Sequence, residues 1–158
     1  MTGIILAILG IATATVLAGI GSAKGVGSAA QSAMGVLSED SSMFGKMLVL
    51  TLLPGTQGLY GFIVGFLILI NAGVLGGGAL PTVGQGLAYL CGALAIGFGG
   101  MFSGFAQGKA AVSGILMCAK DEKNFSKAMV SITLVEIYAL LAFIVSLLIV
   151  ISVPGFAG

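Results

Sequence analysis

Residues 128–153, AMVSITLVEIYALLAFIVSLLIVISV, decide how this chain must be read. The run holds one charge, Glu136, and no glycine. About 20 apolar residues in a helix span the hydrocarbon of a bilayer, so the run reads as one transmembrane helix. An ionisable group there costs from ~3 kcal/mol on insertion scales to more than ~10 kcal/mol in simulations, and such groups mark ion paths by default. Glu136 therefore reads as a carboxylate that binds or carries an ion. The plainer reading is a structural acid tied to a neighbouring helix.

Composition points the same way. Of 158 residues, 58% are hydrophobic and 7% charged, too apolar and too weakly charged for a soluble domain. There is no arginine, histidine or tryptophan. The lysines are Lys24, Lys46, Lys109, Lys120, Lys123 and Lys127; the other acids are Glu39, Asp40, Asp121 and Glu122. A net charge of +1 suggests no nucleic-acid partner. Cys91 and Cys118 fall on one expected helix, ~40 Å apart, so they cannot pair with each other. They are expected to be two buried apolar thiols. Residues 1–17 resemble a signal-peptide core but lack a basic start and run on into further apolar sequence, so a retained helix is expected.

Three apolar stretches precede the fourth: residues 3–37, 44–75 and 83–118, with the fourth at 125–153. The links at 38–43 (SEDSSM) and 119–124 (AKDEKN) are short and polar, which implies antiparallel hairpins. The middle link, 76–81 (GGGALP), is uncharged. Lys46, Lys120, Lys123 and Lys127 lie in or beside the polar links, so the positive-inside rule puts those loops in the cytoplasm and both termini outside.

The chain reads as a tandem repeat. Lys24 aligns with Lys109. Further on, Phe44 aligns with Phe125 and Phe62 with Phe143, and this second register, continued without a gap, sets Gly55 against Glu136. The expected fold is thus an all-α membrane protein of four transmembrane helices. They form two tandem-repeated helical hairpins, 1–78 and 79–158, the second carrying Glu136. Small residues recur at spacing four on the first and third helices: Gly10, Ala14 and Ala18, then Gly21, Gly25 and Ala29, and again Gly100, Gly104 and Gly108. Such stripes let backbones approach closely. They suit an inner layer of helices one and three in a ring of many copies, or ordinary packing in one four-helix bundle.

Depth brings three polar residues together. Counted from lysines near the cytoplasmic loops, Glu136, Gln57 and Gln107 lie ~14, ~17 and ~20 Å inward at about 1.5 Å per residue. Pro54 frees the Leu50 carbonyl and loosens the turn 53–57 (LPGTQ), which exposes carbonyl oxygens, a hydroxyl and an amide. The inventory is all oxygen and suits a hard cation. With one carboxylate it suits a monovalent one, since a divalent ion would stay uncompensated in low dielectric. Tyr60, about one turn beyond Gln57, is placed to bond Glu136 or simply to pack. Lys24 and Lys109 are expected to snorkel toward the cytoplasmic face.

The motifs GIGSAKG (19–25), LPGTQGLYGF (53–62), FSGFAQGK (102–109) and VEIYA (135–139) resemble the membrane rotor (K, or proteolipid c) subunit of V-type ATPases. The likeness is nearest to bacterial sodium-pumping members and covers nearly the whole chain. It implies a ring of identical copies, with lipids at its centre, turning against a stator whose arginine displaces the ion from Glu136. It implies Na+ as transported ion and no organic cofactor. The family's ion-binding positions match the Leu53 carbonyl, Thr56, Gln57, Gln107 and Glu136, with Tyr60 closing the site. ATP hydrolysis would belong to a separate soluble sector joined through central-stalk subunits; no phosphate-cradling GxxxxGK[ST] loop occurs in this chain. One carboxylate per four helices implies fewer ions per turn and more free energy per ion, which suits a pump. Two other readings stand beside this one. A proton-carrying rotor would need only Glu136 and leave Gln57, Gln107 and Thr56 superfluous. A small multidrug or cation antiporter would leave the repeat and the glycine stripes unexplained.

Overall fold

Helix formation is over-determined in a bilayer, where every backbone polar group must be satisfied within its own segment. The computed structural model describes residues 1–156, so the last two residues of the expected second hairpin lie outside the described residues. Its helices are α1 (Thr2–Glu39), α2 (Phe44–Leu52), α3 (Thr56–Asn71), α4 (Val83–Lys120) and α5 (Phe125–Ser152). A 3₁₀ turn over Leu53–Gly55 joins α2 to α3, so these two make one span broken at Pro54. Four segments are thus long and apolar enough to cross a membrane, and no strand occurs among the described residues.

The second span ends at Asn71, short of the expected residue 75. Ala72 closes on the Ile68 carbonyl, and Gly73 then turns to φ +69°, a left-handed conformation that stops a helix. At the other end, Thr82 and Gln85 form a reciprocal capping box that starts α4. The two polar loops are built alike. Asp40 accepts from the Ser42 N–H at 2.9 Å, and Asp121 from the Lys123 N–H at 3.0 Å. Bonds from the Ser42 hydroxyl and N–H hold the Asp40 carboxyl below the usual carboxylate range.

The glycine stripes set the packing. A Cβ added at Gly104 would lie 2.6 Å from the Gly21 carbonyl carbon, and one at Gly108 would lie 2.4 Å from the Gly25 Cα. Gly86 meets Gly3 in the same way, so α1 and α4 run parallel in backbone contact. The outer helices repeat one contact with roles exchanged. Gly61 of α3 packs on Ala14 and Ala18 of α1, while Gly99 of α4 packs on Ala142 of α5.

Two apolar clusters result. One joins Ala33, Met47, Leu50, Ile115 and Ile132 near the polar loops; the other joins Ala14, Val64, Ile68, Tyr89 and Ile96 toward the opposite end. Between them in the chain lie Ser22, Gln57, Ser103 and Gln107, all buried. Large side chains such as Phe62, Leu134, Ile137, Leu141 and Leu148 face outward. The cysteine expectation needs correction. Cys118 is buried, but Cys91 is exposed, on the side of α4 turned away from its partner helices.

Candidate ion-binding site

Pro54 has no N–H to offer the Leu50 carbonyl, and the backbone answers with the tightened turn Leu53–Gly55. That turn brings the Thr56 hydroxyl to the Leu53 carbonyl, to which it donates at 3.2 Å. Gln57 follows on α3 with its side chain fully buried. The Gly58 N–H donates to the Ser22 hydroxyl of α1 at 2.8 Å. One turn on, Tyr60 donates its hydroxyl to Oε1 of Glu136 at 2.6 Å, and its ring stacks on Phe143 at 5.1 Å between centroids.

Gln107 enters from α4, also fully buried. Its Nε2 donates to the Ile132 carbonyl of α5 at 3.3 Å, and its Oε1 accepts a close hydrogen bond from Nε2 of Gln57. Ser103, one turn before Gln107, lies 3.5 Å from that same Gln57 nitrogen and donates to the Val135 carbonyl at 3.2 Å. The structure therefore joins Leu53 to Thr56, Gln57 to Gln107 and Tyr60 to Glu136.

One acceptor is left over. Oε1 of Gln57 is buried and has no hydrogen-bond partner among the described residues. The hydroxyls of Ser32 and Thr51 share that condition. A hydroxyl can rotate, however, whereas the Gln57 nitrogen is held by Gln107, so its amide is not free to turn. An unsatisfied buried acceptor costs roughly 1–3 kcal/mol. A cation beside it would remove that cost, and an amide oxygen is a ligand of the kind hard cations take.

The charge balance fits a cation as well. Among the described residues the one salt bridge is Lys46 of α2 with Glu122 of the second polar loop. Glu136 has no lysine partner among them. Lys24 and Lys109 stay exposed and line a separate hollow of about 280 Å³, with the Lys24 ammonium 5.5 Å from the Phe105 ring centroid. Another hollow, of about 590 Å³, is at the far end against residues such as Asn71, Pro81 and Gln85, and its described lining includes none of the expected ion ligands.

Ser22 and Ser103 were not among the residues expected at the site. They sit inside the quoted motifs GIGSAKG and FSGFAQGK, each beside a stripe glycine. A polar side chain next to a residue in backbone contact was the available signal. In the first half, Gly55 stands where the second half has Glu136. A Cβ there would meet only the Val26 Cγ2 at 3.5 Å, so space exists but the acid does not.

The family model for the C subunit of ATP synthase matches this chain twice, at residues 9–68 and 90–149. Both matches begin and end at the offset that pairs Gly55 with Glu136. The V-type sodium ATPase subunit K of Enterococcus hirae is 46% identical over 150 residues, covering 95% of this chain and 93% of that one. The A-type ATP synthase subunit K of Methanocaldococcus jannaschii is 38% identical over 156 residues, covering 98% of this chain and 66% of that one. With two matches along four membrane-long helical segments, the chain belongs to the ATP synthase C-subunit family, in a form that carries the family repeat twice.

Proposed function

We propose that this protein is a membrane rotor subunit of a V-type ATPase that carries Na+ across the membrane on Glu136. The observation that carries the reading is the buried Gln57 Oε1, an acceptor without a donor among residues that otherwise satisfy one another. Na+ would be the transported substrate. Its ligands would be the Glu136 carboxylate, the Gln57 and Gln107 amides, the Thr56 hydroxyl and the Leu53 carbonyl. Tyr60 would close the site by its bond to the glutamate. The likeness to a sodium ATPase subunit supports the choice of ion.

Identical copies assemble into a ring with α1 and α4 inside, where the glycine stripes allow tight curvature, and lipids fill its centre. The stator presents an arginine that takes the place of Na+ beside Glu136 as each copy passes. The polar loops face the cytoplasm and meet the central stalk of the ATP-hydrolysing sector; both termini lie outside. Duplication with loss of the first acid leaves one ion per four helices, which favours pumping over synthesis.

A carboxyl-reactive carbodiimide attacks the protonated acid, so Na+ held on Glu136 protects it. Na+ should slow modification at fixed pH, while K+ at equal ionic strength should not. If modification follows pH alone and ignores Na+, the proton-carrying rotor replaces this reading.

A further inference from the structure

Several serines and threonines on these helices bond back to their own backbone, as Thr13, Ser113, Ser131 and Thr133 do. Ser22 and Ser103 do otherwise. Each sends its hydroxyl from an inner helix into the backbone of an outer one. Both are buried, at 8% and 6% exposure, so water does not compete for these bonds.

Their targets are equivalent. In the register that pairs Gly55 with Glu136, Pro54 faces Val135 and Gly58 faces Ala139. The same offset separates Ser22 from Ser103, and the two family matches hold it along the first and third spans, so Lys24 lies against Phe105 and not, as expected, against Lys109. A regular helix bonds the N–H of one residue to the carbonyl four before it. Pro54 with Gly58, and Val135 with Ala139, are therefore the same rung in the two halves. Ser22 takes the N–H end of the first rung at 2.8 Å, and Ser103 the carbonyl end of the second at 3.2 Å. Gln57 lies inside the first rung and Glu136 inside the second. Ser103 also stands 3.5 Å from Nε2 of Gln57, the amide whose Oε1 has no partner among the described residues.

We propose that Ser22 and Ser103 are positioning residues of the ion site. They fix the two turns that bear Gln57 and Glu136, and Ser103 joins Gln107 in orienting the Gln57 amide with its oxygen free for the ion. They thereby set affinity and the discrimination between Na+ and the smaller Li+, because ligands held at fixed separation cannot close on a smaller ion. The assignment rests on the Na+ reading above. The helices do not need these hydroxyls to form, since spans of this kind satisfy their backbones internally.

The test is carbodiimide modification of Glu136 in the assembled ring, titrated with NaCl and with LiCl. Ser103→Ala should raise the half-protecting Na+ concentration by roughly fivefold or more, with Ser22→Ala shifting it in the same direction. Both should bring the Li+ and Na+ curves closer together, and Ser103→Thr should restore the wild-type pair of curves. Ser146→Ala is the control, since Ser146 also bonds across helices, to Gly92 and Ile96, but outside the turns that carry Gln57 and Glu136. It should lower ring stability and leave the Li+/Na+ ratio alone. The assignment is overturned if Ser103→Ala and Ser22→Ala rings keep the wild-type curves, or if Ser146→Ala moves the ratio as far as Ser103→Ala does. Should Ser103→Ala fail to assemble, Ser103→Cys keeps the volume, weakens the donor and reads the same titration. Wild-type rings that Na+ does not protect would defeat the Na+ reading itself; protected wild type with unchanged variants defeats only the serine assignment.

Discussion

Among the described residues Glu136 has one hydrogen bond, from the Tyr60 phenol, and no salt bridge. A carboxylate in that position needs an ion or a proton. Replacing Glu136 by Gln should therefore reduce ATP-driven Na+ uptake in vesicles to background while the ring still assembles. Retained uptake would remove Glu136 from the path. Tyr60→Phe keeps the ring stacked on Phe143 and removes only the hydroxyl. A hydrogen bond to a charged group contributes about 1.5–3 kcal/mol. The half-protecting Na+ concentration should accordingly rise about tenfold or more, measured by carbodiimide labelling.

At the scale of helices, contact between α1 and α4 depends on what glycine lacks. Gly104→Ala would push a methyl group to 2.6 Å from the α1 backbone, where no flexible side chain can yield. Overpacking of that kind costs about 1–3 kcal/mol. The thermal dissociation temperature of the purified ring should fall. Gly55→Ala adds the same methyl where its nearest neighbour is a valine side chain at 3.5 Å, and should leave that temperature nearly unchanged. Equal effects at the two positions would mean that the α1–α4 contact is not what limits stability. Pro54 acts on a different quantity: it breaks the second span where carbonyls and hydroxyls gather, and sets ligand geometry more than helix stability.

At the scale of the whole molecule, Lys46 on the first turn of α2 pairs with Glu122 in the second polar loop. Both are well exposed, at 37% and 56%, and pairs of that kind contribute at most about 1 kcal/mol. Lys46→Ala should change ring stability by no more than that. The sidedness proposal is tested on the same loops. In a background without Cys91 and Cys118, Ser42→Cys should react with an impermeant maleimide only from the cytoplasmic side of vesicles, and Ala79→Cys only from the other. The reverse pattern would overturn the sidedness proposed for the loops and termini.

Much of this architecture was legible in the chain alone, because it depends on local properties. Four spans follow from apolar length, the break at Pro54 from a missing N–H, and the common depth of Gln57, Gln107 and Glu136 from the rise per residue. The glycine spacing marked α1 and α4 as the closely packed pair, and the repeat followed from residues aligned across the two halves. What side chains face depends on the rotation of each helix and on the register between helices, which are fixed by contacts between residues far apart in the chain. No single stretch encodes those. Hence only the tertiary structure decided that Cys91 is exposed, that Lys46 meets Glu122, and that Ser22 and Ser103 reach across to the turns around Gln57 and Glu136. It also decided which oxygen is left without a donor, because satisfaction of a buried amide depends on every neighbour at once.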